Sequence, residues 1–301
     1  MLDHRQLAAF SAVLEEGSFD KAAQRLGVTQ SAVSQRLQRL ESQLGQVLLV
    51  RGQPLQPTQA GRRLLAHAKQ VALLEGELRQ DIGSDPGADP NRPPQVLTLG
   101  VNADTLAFWF LEALAPFLDR TEAILKLVVD DQDHTLELLR RGEVIGCVAA
   151  KQQPVQGCRA HYLGLNRYHC VAHPDAAARW FPQGLTRQAV ARAPAVLFNA
   201  KDSTHDRLLR ELFSLKGRPY PYHLLPSSER FLDFLLMGRG YGMVPDLQAE
   251  PELTAGALID LCPGRTIDVP LYWHVWGGNS RLTGELTRIL LAAGQKILKQ
   301  R

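Results

Sequence analysis

The stretch GVTQSAVSQRLQRLESQLG, from Gly27 to Gly45, decides how the first part of the chain folds. Its apolar residues recur at 4-3-4 spacing, which predicts one buried helical stripe made of Val33, Leu37, Leu40 and Leu44. The opposite side carries serine and glutamine where most surface helices carry lysine and glutamate. A helix with short polar side chains can approach another polar surface closely, so this face is a candidate contact surface.

Two more helices are predicted before this one. The first spans roughly Asp3 to Glu16, and the second starts near Ser18, a good N-cap, and ends at Gly27, which tolerates a left-handed backbone. Two short helices joined by a glycine turn form a helix-turn-helix, whose second helix enters the DNA major groove. Serine allows close approach, glutamine can pair with adenine, and arginine can reach guanine or phosphate. The predicted DNA contacts are Thr29, Gln30, Ser31, Ser34, Gln35, Arg36 and Gln38. The alternative is a solvated helix that happens to be rich in serine and glutamine.

The next segment, VLLVRGQPLQPTQAG (47–61), is typical of a strand, a turn, a second strand and a helix capped by Thr58. A β-wing beside the helix-turn-helix would present Arg51 to the phosphate backbone. Residues 1–65 hold eight Lys and Arg against five Asp and Glu, a balance of +3 that equals that of the whole chain. The basic excess therefore lies at the N-terminus, as expected for a DNA-binding domain.

A longer helix is predicted from Ala60 to Gly83. Apolar positions at 4-3-4-3-4 spacing predict a short heptad seam: Ala60, Leu64, His67, Val71, Leu74 and Leu78. Packing on the chain's own core is the alternative, but GSDPGADPNRPP (83–94) follows, and its proline, glycine and aspartate indicate an extended linker. We therefore expect the helix to pair two chains.

The remaining chain alternates strand-like runs with amphipathic helical stretches. The runs VLTLGVN, ILKLVVD, VIGCVAA, AVLF and GMVP predict an α/β domain with a mostly parallel sheet. The 301 residues allow two or three domains. There is no apolar run long enough for a membrane span and no secretory signal, so no membrane partner is expected. Four scattered cysteines indicate reduced thiols of a cytoplasmic protein.

In a two-lobed α/β domain, ligands bind beyond the carboxyl ends of strands. The first strand runs into Asn102, Asp104 and Thr105 at a helix start, where an α-carboxylate and an ammonium can both be bound. Trp109, one turn on, can cover an aliphatic stem. Asp131, in an acid cluster after the next strand, can recognise an amine or guanidinium. Ser227, Ser228 and Glu229 open a later helix at the cleft edge.

Each of these candidates has an alternative role. Asp104 and Glu229 can be simple helix-dipole charges, the two serines N-caps, Trp109 core, and the acid cluster an exposed turn.

No catalytic or cofactor motif emerges. GRGYGMVPD (238–246) places its glycines between a helix and a strand, the reverse of a phosphate cradle, and is interpreted as a turn into a buried strand. The sequence lacks a nucleophile–base signature and ligand-like histidine spacing, so we expect no enzyme activity, metal or cofactor. Besides a sequence-specific DNA-binding protein that responds to a small ligand, the open hypotheses are a less specific architectural DNA-binding protein and an enzyme.

The residues FSAVLEEGSFDKAAQRLGVTQSAVSQRLQRLESQLGQVLLVR and PTQAG resemble the DNA-binding domain of LysR-type transcriptional regulators. LGVNADTLAFWFLEALAPFL (99–118), RRGEVIGCV (140–148), SSERF (227–231) and LYWHVW (271–276) resemble the ArgP/LysG branch, also called the chromosome initiation inhibitor family.

The resemblance implies an N-terminal winged helix-turn-helix of all-α type, a dimerising helix and a two-lobed α/β effector domain like periplasmic binding proteins. The expected domain boundaries are 1–59, 60–83, 84–94 and 95–301, with lobe I at 95–167 and 270–301 and lobe II at 168–269. It also implies a lysine or arginine effector, control of amino-acid export or metabolism, and assembly as dimers or dimers of dimers. A different metabolite effector stays open, and RNA polymerase is a further candidate partner.

Overall fold

The structure is a computed structural model that describes residues 2–50, 52, 54–82, 95–130 and 135–301. The predicted contacts Arg51 and Asp131 lie outside these residues. The N-terminal part contains α1 (His4–Glu16), α2 (Phe19–Leu26), α3 (Gln30–Leu44), β1 (Leu49–Val50), β2 (Gln56–Pro57) and α4 (Gln59–Ile82). The three helices and the small antiparallel β1–β2 wing confirm the predicted winged helix-turn-helix.

Local signals set the ends of these helices. Asp3 caps α1, and its carboxylate accepts a hydrogen bond from the Arg5 amide at 2.7 Å. Gly27 ends α2 with φ of +61°, a conformation that residues with a Cβ rarely adopt. Thr29 caps α3 by accepting from the Ala32 amide at 3.2 Å. These caps fix where α3 begins, and therefore which of its residues face outward.

The C-terminal part alternates strands and helices. Its elements are β3 (Val96–Val101), α5 (Ala103–Thr105), a π-helical turn (Leu106–Phe110), α6 (Leu111–Leu118), β4 (Ile124–Val129), α7 (Thr135–Arg140), β5 (Gly146–Ala149), β6 (Cys158–Ala172), α8 (Pro174–Trp180), α9 (Arg187–Val190), β7 (Ala195–Leu197), α10 (Thr204–Phe213), β8 (Tyr222–Leu224), α11 (Ser228–Leu236), β9 (Tyr241–Pro245), α12 (Asp246–Ala255), β10 (Ile259–Asp260), β11 (Thr266–Trp276) and α13 (Arg281–Ile297).

The strands form one path in the order β4-β3-β5-β11-β6-β9-β7-β8, with β10 paired to β6. We call the β3, β4, β5 side, with α5–α7 and α13, the first lobe, and the β7–β10 side, with α8–α12, the second lobe. Pairing is parallel within each lobe, β3 with β4 and β5, and β7 with β8 and β9. The expectation of a mostly parallel sheet is wrong at the centre, because the long strands β6 and β11 cross between the lobes and pair antiparallel.

The long helix α4 divides between two environments. Leu64 packs into the core of the N-terminal helices, which agrees with the alternative that this helix packs on the chain's own core. Further along the predicted seam, Leu74 and Leu78 are 45% and 57% exposed on the described chain. These two exposed leucines of the seam begin about four turns into α4.

Two further findings concern membrane-spanning helices and cysteines. No described helix combines the length and the apolar character that a membrane crossing needs. The four cysteines are free thiols, with Cys147 and Cys170 buried.

Candidate functional site

The polar face of α3 is open to solvent. Val33, Leu37 and Leu40 are buried against α1 and α2, whereas Leu44, the last residue of the predicted buried stripe, is 38% exposed, so that part of the prediction is wrong. Of the predicted contacts, Thr29, Gln30, Ser31, Gln35 and Gln38 are exposed, while Ser34 and Arg36 are half-buried. The sequence-derived face is therefore present, and none of the described residues covers it.

A second site lies between the two lobes. It is a cavity of about 290 Å³, close to the lower end of the usual range for small-molecule pockets. Its lining comprises Asn102, Ala103, Asp104, Val129, Asp130, Tyr168, Phe198, Asn199, Lys201, Asp202, Ser203, Thr204, Ser228, Phe231, Met243, Pro245 and Gln248. Both lobes and the crossing strand β6 contribute, so a ligand here contacts both halves of the domain.

Asp104 joins the two lobes across this cleft. Its Oδ1 accepts a hydrogen bond from the Ser228 hydroxyl of the second lobe at 2.5 Å. Its Oδ2 accepts from the Tyr168 hydroxyl on β6 at 2.6 Å, and the Asn166 amide donates to the same phenol oxygen at 2.8 Å. Burial and the Asp104 charge raise the pKa of Tyr168, so the phenol stays protonated and donates. The carboxylate is thus held in one position by neutral donors.

Three helices begin at the cleft. The Asn102 side chain caps α5 by accepting from the Thr105 amide at 3.0 Å. Asp202 lies just before α10, where its Oδ1 accepts from the Thr204 amide at 3.0 Å, while its Oδ2 accepts from the amide of Phe198, just after β7, at 3.2 Å. Ser228 is the first residue of α11. Helix N-termini carry partial positive charge and favour a bound carboxylate.

The lining combines charged side chains with apolar ones, which suit different parts of a ligand. Among the described lining residues, Asp104, Asp130 and Asp202 supply three carboxylates, against one ammonium from Lys201. Phe198 and Phe231 add apolar area on the second-lobe side. An acidic excess beside apolar walls suits a ligand with a cationic end and an aliphatic stem.

Two first-lobe candidates point away from the cleft. Thr105 is 1% exposed and Trp109 is 3% exposed, and neither lines the cavity. Trp109 packs edge-on against Phe110, with ring centroids 5.9 Å apart, so the core alternative holds for it. The reason is geometric: consecutive helical residues are about 100° apart, so Asp104 and Thr105 cannot both face the same side. Trp109, four residues after Thr105, follows Thr105 inward.

The three second-lobe candidates separate in the same way. Ser228 is buried and reaches Asp104, and Phe231, one turn later, also lines the cleft. Ser227 caps α11 by accepting from the Arg230 amide at 3.3 Å, and Glu229 is exposed; neither lines the cavity. The structure therefore agrees with the alternative roles of these two residues, an N-cap for Ser227 and a helix-dipole charge for Glu229.

The structure adds cleft residues that the sequence analysis missed. The segment from Phe198 to Thr204 follows the carboxyl end of β7, so the strand-end rule that selected Asn102 could have found it. Tyr168 and Gln248 carried no such signal, because one lies inside a long strand and the other inside a helix. Among the residues described, no cluster of histidine, cysteine, aspartate or glutamate is suited to a metal ion.

Comparison with known proteins identifies both parts. Residues 4–62 match the model of the bacterial regulatory helix-turn-helix proteins of the lysR family, and residues 90–292 match the LysR substrate binding domain. The chain belongs to the LysR family. LysR regulators bind DNA and form oligomers, and their substrate binding domain takes small-molecule effectors. This family member is a DNA-binding transcriptional regulator and not an enzyme.

Its relatives include ArgP and LysG regulators. The HTH-type transcriptional regulator ArgP of Pseudomonas aeruginosa is 44% identical over 300 residues, covering 99% of this chain and 98% of the relative. The crystal structure of ArgP from Mycobacterium tuberculosis has a TM-score of 0.89 at 39% identity and covers 100% of both chains. Full-length LysG from Corynebacterium glutamicum, solved with the effector Arg bound, has a TM-score of 0.81 at 33% identity and covers 99% of each chain. The ArgP/LysG resemblance is therefore confirmed.

Proposed function

We propose that this regulator responds to a basic amino acid, arginine or lysine, bound in the interlobe cleft. The observation that carries the proposal is the acidic, two-sided lining: three carboxylates from both lobes beside three helix N-termini. The helix starts suit the α-carboxylate and the aspartates suit the cationic end. The arginine bound to the related LysG has the same two charged ends.

Asp104 is the central residue of this proposal. Asp104 lies on the first lobe and contacts Ser228 of the second, so a ligand that binds Asp104 and also contacts the second lobe favours the closed arrangement of the lobes. An effector shifts the balance between two arrangements only if it binds one more tightly than the other. Asn102, Asp104 and Ser228 stay in the proposed site. Asp131 stays a prediction, since it lies outside the described residues, and Asp130 beside it lines the cavity.

For the DNA side, we propose that the exposed face of α3 reads bases, with Gln35 at its centre and Arg51 of the wing on phosphate. The proposed boundaries are 1–59 for the DNA-binding domain, 60–83 for the dimerising helix, 84–94 for the linker and 95–301 for the effector domain. The exposed Leu74 and Leu78 support pairing of two chains through α4, as a dimer or a dimer of dimers. We place the protein in the cytoplasm, at promoters that control amino-acid export or metabolism, with RNA polymerase as a further partner.

Calorimetry of the full chain tests the effector. Arginine and lysine are titrated beside citrulline, which keeps the shape of arginine but is neutral at its side-chain end, and beside glutamate. We expect saturable binding of at least one basic amino acid and at least tenfold weaker binding of citrulline. Equal binding of arginine and citrulline, or binding of glutamate alone, would refute a cation-selective cleft and support a different metabolite effector.

A further inference from the structure

A buried carboxylate outside both sites connects α4 to the first lobe. Glu77 is 7% exposed, and it accepts hydrogen bonds from the Ser280 hydroxyl at 2.6 Å, the Leu282 amide at 2.9 Å and the Arg281 amide at 3.3 Å. These donors form the N-terminus of α13, where a negative charge is favourable. A side chain from α4 thus caps a helix of the effector domain, together with that helix's own cap, Ser280.

Other contacts hold α4 and the first lobe together. The Lys69 ammonium donates to the Glu143 carbonyl at 2.8 Å, and the Gln95 amide donates to the Leu73 carbonyl at 2.9 Å. At Gly142 a Cβ would lie 2.7 Å from the Ala66 amide nitrogen, so a helical backbone of α4 fits directly against this turn. α4 is therefore joined to the first lobe at these points and, through Glu77, to the N-terminus of α13.

The opposite end of α13 reaches the second lobe. After the helix, the Lys299 carbonyl accepts from the Leu165 amide on the crossing strand β6 at 2.8 Å. The Lys299 ammonium lies 3.0 Å from Glu250 and 3.6 Å from Asp246, both on α12 of the second lobe. The pair with Glu250 is exposed, and exposed ion pairs are weak and rearrange easily, whereas Asp246 is buried. The 17 residues of α13 span about 26 Å between the two ends.

We propose that α13 transmits the movement of the second lobe to α4, and that Glu77 is the joint at which it does so. When the lobes close on an effector, α12 moves relative to Lys299. The rigid helix passes the displacement to its capped N-terminus, and α4 carries it to the DNA-binding helices. Rigid elements of this kind can carry coupling between distant sites. The inference rests on the proposed effector function, but the Glu77 contact itself does not involve the cleft.

A merely structural cap and a coupling joint predict different results. If Glu77 only stabilises the fold, its removal lowers stability and leaves the effect of the ligand on DNA binding intact. If Glu77 couples the two parts, the variant still binds both ligands, but each ligand loses its influence on the other.

The experiment uses the full chain, arginine and a DNA duplex selected from a random pool by the wild-type protein. Arginine affinity is measured by calorimetry, and DNA affinity with and without saturating arginine. Where arginine shifts wild-type DNA affinity at least threefold, we expect Glu77→Ala to reduce the shift to less than 1.5-fold while each separate affinity stays within threefold. Glu77→Gln keeps one acceptor oxygen and should fall between. The control Glu285→Gln, which removes an exposed α13 pair with Arg120, should behave as wild type.

A second measurement keeps the inference testable if the alanine variant does not fold or arginine does not bind. Because coupling is reciprocal, DNA binding should change the hydrogen exchange of residues 281–283 in the wild type. Lys299→Ala should reduce that change from the opposite end of α13. A full arginine effect in Glu77→Ala, or no change of exchange at 281–283 on DNA binding, would overturn the joint. Failure of arginine to bind the wild type refutes only the proposed effector.

Discussion

The two functional surfaces differ in how they are built from the chain. The surface that we propose for DNA comes from a few consecutive turns of α3, between Thr29 and Gln38. The cleft draws on separate segments from Asn102 to Gln248, brought together by two lobes and a crossing strand. A single helix face follows from local periodicity alone, whereas a cleft follows from topology. The effects of substitutions on α3 should therefore be independent of one another, whereas the effects of substitutions in the cleft should be coupled through shared contacts.

The largest effect is expected at Asp104, which joins three parts of the cleft. Asp104→Ala removes a held carboxylate from a site proposed for a cation, so arginine affinity should fall about 100-fold, roughly 3 kcal/mol. DNA affinity without arginine should stay within twofold. Calorimetry and DNA titration of the same preparations measure both. Asp119→Ala removes an exposed acid at the end of α6 and serves as control; an unchanged arginine titration in Asp104→Ala would remove this residue from the site.

A smaller and more local effect is expected on α3. Gln35→Ala should weaken binding to the selected duplex by about 1–3 kcal/mol and leave random-sequence DNA unaffected, if the amide reads a base edge. Gln43→Ala, exposed two turns further along the same helix, is the matched control. Competition titrations against both DNAs separate the outcomes. Equal losses on the two DNAs would show that Gln35 contributes packing or backbone contact but no readout.

How far the sequence predicts each surface follows the same division. The 4-3-4 stripe and the glycine at position 27 were sufficient to place α3 and its outer face, because both depend on neighbours along the chain. In the cleft, the strand-end rule found Asn102 and Asp104 but could not tell which neighbouring side chain faces inward. Thr105 and Trp109 turn into the core because the helix places them on its other side. The Tyr168 contact could not be predicted, since it depends on a crossing strand meeting a helix 64 residues away in sequence.

The two parts also differ in buried titratable groups. Among the described residues up to position 58, no buried side chain is polar or charged, whereas the effector domain buries His205, and neither ring nitrogen has a hydrogen-bond partner within the described chain. Burial lowers the pKa of His205 to about 4. The unfolded chain, with an ordinary histidine pKa of about 6.5, binds a proton that the folded chain excludes between these values. This contribution therefore destabilises the fold as pH falls from about 6.5 towards 4.

Urea unfolding of wild type and His205→Leu checks this prediction. Between pH 7 and pH 5 the wild type should lose about 2 kcal/mol more than the variant, since 1.5 pH units below the unfolded pKa correspond to about that energy. The comparison with a variant is needed because another histidine has the opposite pH dependence. Asp260 and Asp246 raise the pKa of His169, so its contribution stabilises the fold at low pH and is lost as pH rises. His223→Gln, an exposed position on β8, is the control. Equal acid sensitivity of wild type and His205→Leu would contradict the prediction.

The finest test of the difference between the surfaces uses two adjacent serines that the sequence could not separate. Ser228→Ala removes the donor to Asp104 across the cleft, so arginine affinity should fall about fivefold, roughly 1 kcal/mol. Ser227→Ala removes the cap of α11, so the free energy of unfolding should fall by about 1 kcal/mol while arginine affinity stays within twofold. Calorimetry and urea unfolding of both variants give the two readouts. If the two variants lose arginine affinity equally, both serines contribute to the site through the start of α11. This part of the cleft would then resemble the α3 surface, because one local segment of the chain would form it.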